Sequence, residues 1–179
     1  MNDEFMQQLQ DGVRSVPDFP IEGIMFRDIT PVLADGKLLA NVVDRMVQDI
    51  EELGWGPTHI VGPESRGFIF GSMVALQMGI GFIPVRKPGK LPHEIERIEY
   101  SLEYGDNILE IHKDALSKDD RVVIVDDLLA TGGTVAASVQ LCQRIGASVL
   151  GGIFLIELDG LNGSENSGIE THALLNYPA

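Results

Sequence analysis

The segment Val122-Val123-Ile124-Val125-Asp126-Asp127-Leu128-Leu129-Ala130-Thr131-Gly132-Gly133-Thr134 restricts the fold more than any other stretch of this chain. Four consecutive β-branched residues suit a strand covered on both faces, the environment of a parallel sheet in an α/β domain. Two carboxylates then stand at the carboxyl end of that strand, where open α/β sheets bind their ligands. Thr131-Gly132-Gly133-Thr134 lets the backbone approach a bound group closely. A helix reading from about Thr134 brings free N–H groups and the positive end of its dipole to the same point, so the loop suits a phosphate.

Two adjacent acids beside an anion site repel that anion unless the ligand also brings hydrogen-bond donors. A ribose diol brings them, so the segment reads as a ribose-phosphate site, with acids on the hydroxyls and the glycine loop on the phosphate. The plainer alternative is a solvated turn in which Asp126 or Asp127 caps the next helix. A cap needs one acid, and it explains neither the second nor the Thr-Gly-Gly-Thr.

Around this segment the chain alternates strand and helix. Phe5, Leu9 and Val13 predict a short helix ending before Pro17. Asp35-Gly36 opens a stronger one, with the stripe Leu38, Leu39, Val42, Val43, Met46, Val47 and Ile50 ending near Gly54. Thr58 to Val61 reads as a strand, Arg66 to Met78 as a helix and Ile80 to Val85 as the next strand. Residues 86–105, with two prolines and two glycines, read as a long lid-like loop, followed by alternation through Asn107 to His112. A helix to Ile145, a strand over Ser148 to Ile156, a turn-rich stretch from Leu158 to Gly168 and a last edge strand at Ala173 to Leu175 complete the pattern. The 179 residues suit one domain with a mostly parallel central sheet flanked by helices.

Composition narrows the partners. Thirteen basic against 27 acidic residues give a formal charge of −14, which disfavours nucleic acid and anionic membrane. The cations Arg27, Arg66, Arg86, Lys87 and Lys90 nevertheless gather in Gly- and Pro-punctuated segments, as handling a polyphosphate would require. No run approaches a membrane span and the first residues lack a signal-peptide pattern, so the expected location is cytoplasmic. The single cysteine, Cys142, shares an apolar helical face with Val135 and Val139 and reads as packing. His59, His93, His112 and His172 show no metal spacing. Gly54-Trp55-Gly56 precedes a strand, which is wrong for a dinucleotide fingerprint, and no P-loop pattern is present.

The Asp126 to Thr134 run resembles the phosphoribosyl-pyrophosphate (PRPP) motif of the type I phosphoribosyltransferases. Phe26-Arg27-Asp28-Ile29-Thr30-Pro31, Glu64-Ser65-Arg66-Gly67-Phe68, Val85 to Pro92 and Tyr100-Ser101-Leu102-Glu103-Tyr104-Gly105 narrow the resemblance to the adenine phosphoribosyltransferase family, in its order and at its spacing. The resemblance implies the type I fold, with an N-terminal hood at about 15–34 and a flexible lid at about 86–105. It also implies adenine and PRPP as substrates, AMP and pyrophosphate as products, Mg²⁺ carried mainly by PRPP without a direct protein ligand, and a homodimer.

The same resemblance assigns roles. Asp126 and Asp127 would hold the ribose hydroxyls, while Ala130, Thr131, Gly132, Gly133 and Thr134 would hold the 5-phosphate. Glu64, Ser65 and Arg66, with a cis peptide expected at Glu64-Ser65, would form the pyrophosphate loop together with Arg86, Lys87 and Lys90. Phe26 would stack on adenine, the Arg27 backbone would meet the ring edge and Leu128, or its neighbour Leu129, would close the other face. On its own, Phe26-Arg27-Asp28 reads more readily as a core phenylalanine beside a capping aspartate. Glu103 and Tyr104 would complete the catalytic set with Arg66, Glu103 receiving or binding the purine proton as the lid closes. Two rivals remain at this stage: another purine phosphoribosyltransferase, such as one for xanthine, and a PRPP-sensing regulator. Such regulators carry an added DNA-binding segment, for which this chain offers neither length nor positive charge.

Overall fold

In the computed structural model, which describes residues 3–102 and 105–179 and the side chains of 4–100 and 107–179, the apolar periods become a central sheet wrapped by helices. The first half of the chain runs α1 (Asp3–Gly12), β1 (Arg14–Val16), β2 (Phe26–Asp28), α2 (Thr30–Ala34), α3 (Gly36–Glu52), β3 (His59–Pro63), α4 (Gly67–Met78) and β4 (Gly81–Val85). The second half runs β5 (Ile95–Leu102), β6 (Gly105–His112), β7 (Arg121–Leu129), α5 (Gly133–Ile145), β8 (Ser148–Asp159), α6 (Gly163–Ser167) and β9 (Thr171–Pro178). Five strands form one parallel sheet in the order β4-β3-β7-β8-β9.

The expected two-sided burial of the motif strand is present, and it divides the core. Val123 and Val125 join Ile60, Ile153 and Leu155 on the face covered by α1, α3 and α4. Val122 and Ile124 join Val61 and Phe154 on the face covered by α5 and the β5–β6 hairpin. Helix α3 begins where expected, because the Asp35 side chain accepts from the N–H groups of Lys37 and Leu38 at 3.0 Å each. Its Leu38, Val42, Met46 and Ile50 are buried one turn apart, each contributing roughly 1.5–3 kcal/mol of apolar burial. Cys142 is fully buried on α5, and burial pushes its thiol up to about 12, which leaves it inert as a nucleophile.

Three expectations are corrected. The motif strand does not stop at Val125: Leu128 and Leu129 pair with Ile156 and Glu157 of β8, so both aspartates lie within β7. Residues 86–105 are not one long loop. Among the described residues of this stretch only 87–94 are irregular, and β5 then pairs antiparallel with β6. The alternation of Ile98 and Tyr100 with exposed Arg97 and Glu99 places apolar side chains against α5, and that burial overrides the Pro and Gly punctuation upstream. The turn-rich stretch contains α6, and the last strand is eight residues long. Where the hood was expected, β1 and β2 form an antiparallel ribbon with Val16 opposite Phe26.

Candidate active site

Strand β3 leads through α4 to β4 on one side, whereas β7 leads through α5 to β8 on the other. Helices α4 and α5 pack on opposite faces, and the pairing of β3 with β7 ends at Val61 opposite Ile124. The two strands therefore part at a topological switch point, the place where open α/β sheets form ligand crevices. A cavity of about 410 Å³ opens there, walled by Glu64, Ser65, Arg66 and Lys87 on one side and by the unbroken run from Asp126 to Val135 on the other.

The two acids occupy different environments. Asp127 is buried, and its Oδ2 lies 2.6 Å from Nε of Arg66. Asp126 accepts the Asp127 N–H on Oδ1 at 2.9 Å. Burial first, and then the negative charge of Asp127, push the Asp126 pKa well above the usual carboxylate range. Gly67 explains how Arg66 comes so close to β7. A Cβ there would stand 2.9 Å from the Val125 carbonyl and 3.0 Å from Asp126 Oδ1, so any larger residue would push the start of α4 away.

Beyond β7 the chain turns at Gly132, with φ +83°, and enters α5 at Gly133. The first intrahelical bond runs from Ala136 N–H to the Gly132 carbonyl at 2.9 Å, so the amides of the preceding turn point out of the helix towards the cavity end of β7. Helix α6 buttresses the loop from outside. The Asn166 side-chain amide donates to the Thr131 carbonyl at 2.9 Å, and a Cβ on Gly132 would collide with the Gly163 carbonyl. On the hairpin side, Tyr100 Oη and Thr134 Oγ1 are 3.2 Å apart.

Glu64 holds the charged groups of Arg86 and Lys90 and the backbone of Lys87. Its Oε2 accepts from Arg86 Nε at 3.3 Å and from Lys87 N–H at 3.1 Å, and its Oε1 pairs with Lys90 Nζ. These partners, the Lys90 hydrogen bond foremost, lower its pKa to about 2. Glu64 thus enters as a counter-ion, and its carboxylate is not a group that would itself touch an anion. The Glu64–Ser65 peptide is cis, as expected.

The structure gathers Glu64, Ser65, Arg66, Lys87, Asp126, Asp127, Leu128 and Ala130 to Thr134 around the one cavity. Arg86 and Lys90 reach it only through Glu64. Phe26 and Arg27 do not wall it: Phe26 packs edge-on against Phe19 at 5.1 Å, and the Arg27 guanidinium lies over the Tyr177 ring and donates to Ser15 Oγ. That engagement leaves the Arg27 backbone, the part assigned to a base. Glu103 and Tyr104 lie outside the described residues.

The chain matches the phosphoribosyl transferase domain over residues 32–167. It is 53% identical over 170 residues to the adenine phosphoribosyltransferase of Francisella philomiragia, covering 94% of this chain and 97% of that one. The chain belongs to the adenine phosphoribosyltransferase family. A solved family member from Saccharomyces cerevisiae, complexed with D-2,5-dideoxy-2,5-imino-altritol 1,6-bisphosphate and adenine, has a TM-score of 0.93 at 39% identity, covering 97% of this chain and 100% of that one. The Rhodothermus marinus adenine phosphoribosyltransferase gives 0.90 at 44% identity, covering 98% and 100%. The expected type I phosphoribosyltransferase fold is therefore the fold of this chain. Within this adenine phosphoribosyltransferase frame, sequence reasoning missed Gly163 and Asn166. The one local signal for them was the Asn162-Gly163 turn dipeptide.

Proposed function

We propose that this protein forms AMP and pyrophosphate from adenine and PRPP. The observation that carries the reading is the joining, around one cavity of about 410 Å³, of two β7 aspartates, a helix-opening glycine loop and the cations Arg66 and Lys87. Asp126 and Asp127 accept from the ribose hydroxyls, and the amides and hydroxyls of Ala130 to Thr134 hold the 5-phosphate. Arg66 gives pyrophosphate a forked contact, Lys87 adds its charge from the cavity wall, and Arg86 and Lys90 add theirs once Glu64 yields them. The base lies between Phe26 and Leu128, with its edge on the Arg27 backbone.

The reaction is a displacement at ribose C1 with oxocarbenium character. The bond from purine N9 to C1 forms, the bond from C1 to the pyrophosphate oxygen breaks, and pyrophosphate leaves with that electron pair. The N9 proton passes to Glu103, the acid that the family resemblance assigns to this role together with the aromatic Tyr104. Positioning and charge stabilisation supply most of the rate.

Asp127 and Glu64 are already engaged by Arg66, Arg86 and Lys90. The residues present therefore suit a magnesium ion held by PRPP oxygens and water, which adds charge neutralisation to the leaving group. We also propose that the protein is a cytoplasmic homodimer. Among the described residues, no helix is long and apolar enough to cross a membrane.

Incubation with PRPP, Mg²⁺ and each of adenine, hypoxanthine, guanine and xanthine tests the reading. Adenine alone should be consumed efficiently, with one AMP and one pyrophosphate formed per base. Comparable turnover of xanthine or hypoxanthine would overturn it.

A further inference from the structure

Outside the cavity, one buried acid has an unexpected set of partners. Glu110, on β6, is only 4% exposed, belongs to none of the sequence motifs and does not wall the cavity. Its backbone exchanges two hydrogen bonds with Arg86, at 2.9 and 2.8 Å. Its side-chain Oε2 accepts the N–H of Gly89 at 3.0 Å. Gly89 has φ +75° and turns the basic loop that carries Lys87 and Lys90. At the far end of that loop, Lys113 N–H donates to the Glu94 carbonyl at 2.9 Å, again from the β6 side.

We propose that Glu110 is a positioning residue that presets the basic loop for pyrophosphate. The inference rests on the pyrophosphate role given above to Arg86, Lys87 and Lys90. The two carboxylates that grip this loop differ in kind. Glu64 holds mainly side-chain cations, which an incoming polyanion would recruit, so most of its contacts are exchanged on binding. Glu110 holds a backbone amide and the backbone of Arg86, neither of which a ligand displaces. A buried acid is costly unless it is well hydrogen-bonded, and here its bond fixes the loop's turn while its main chain fixes the loop's start. Three cations are thereby kept near their bound placement, and less ordering is left to be done on binding.

The test combines amide exchange at Gly89 with steady-state kinetics of wild type, Glu110→Leu and Glu110→Gln. In wild type the Gly89 amide exchanges more slowly than an open loop amide. Glu110→Leu loses that protection and raises KM for PRPP on the order of tenfold, the scale of one hydrogen bond to a charged acceptor, with KM for adenine nearly unchanged. Glu110→Gln keeps a carbonyl acceptor of the same shape and restores both properties. An unchanged KM for PRPP in Glu110→Leu, or an equal rise for both substrates, would overturn the proposal. If Glu110→Leu does not fold, the wild-type exchange rate decides, and an unprotected Gly89 amide is the overturning result. Failure of wild type to use adenine would instead sink the assigned reaction and leave the Gly89 measurement standing.

Discussion

Replacing Gly132 by alanine loads the phosphate loop at its tightest point. The residue has φ +83°, a region where an L side chain costs roughly 1 kcal/mol or more. The added Cβ would collide with the Gly163 carbonyl and stand 3.1 Å from both Asn166 Cβ and Ser167 N. Two of those three atoms are backbone of α6, which Asn166 ties to the loop at Thr131, so relief requires loop and helix to separate. Overpacking of this kind costs about 1–3 kcal/mol, for a total of about 2–4 kcal/mol. At about 2–4 °C per kcal/mol for a domain of this size, the melting temperature should fall by about 4–16 °C. Because the loop must move to relieve the collision, KM for PRPP should rise while adenine binding is little changed. Calorimetry and initial-rate kinetics on the same preparation read both effects. A melting temperature within a degree of wild type, together with an unchanged KM for PRPP, would refute the idea that α6 shapes the phosphate loop.

The ionisable groups of the site make opposite predictions for stability. The folded pKa of Asp126 is raised, so its folded state binds more protons and stability is lost as pH rises from the unfolded value near 3.8 through the folded one. Asp126→Asn should therefore melt higher than wild type at pH 7 but not at pH 3, while PRPP use weakens by about 1–3 kcal/mol because an amide can donate where the diol needs an acceptor. Glu64 is lowered from 4.5 to about 2, so its contribution is full above 4.5 and lost as pH falls through 2. Urea unfolding should show Glu64→Gln less stable than wild type at pH 7, with the difference closing between pH 4.5 and 2, and a difference independent of pH would contradict the ion-pair account. Asp127→Asn should raise KM for PRPP more than KM for adenine, and equal effects would remove its diol role.

What could be read in advance was local chemistry. Val122 to Val125 announces a two-sided strand, Asp35 a helix start, and Asp126 to Thr134 a ribose-phosphate site, because each property resides in contiguous residues. What escaped depends on contacts between distant residues. Nothing beside Glu64 indicates that its partners arrive from Arg86 and Lys90, 22 and 26 residues on. The buttress from Asn166 to Thr131 spans 35 residues and comes from a turn-rich stretch without periodicity. The β5–β6 hairpin was hidden for another reason. Its apolar positions Ile98 and Tyr100 are flanked by the charges of an exposed face, and the punctuation from Pro88 to Pro92 drew the loop boundary too far downstream.

The central claim is that the Asp126 to Thr134 wall holds a ribose phosphate. A crystal structure of the protein with AMP measures this most directly. The 5-phosphate is predicted to lie on the amides from Thr131 to Thr134, with the ribose hydroxyls on Asp126 and Asp127 and the base between Phe26 and Leu128. A phosphate seated elsewhere, or a ribose turned away from the two aspartates, would contradict the account.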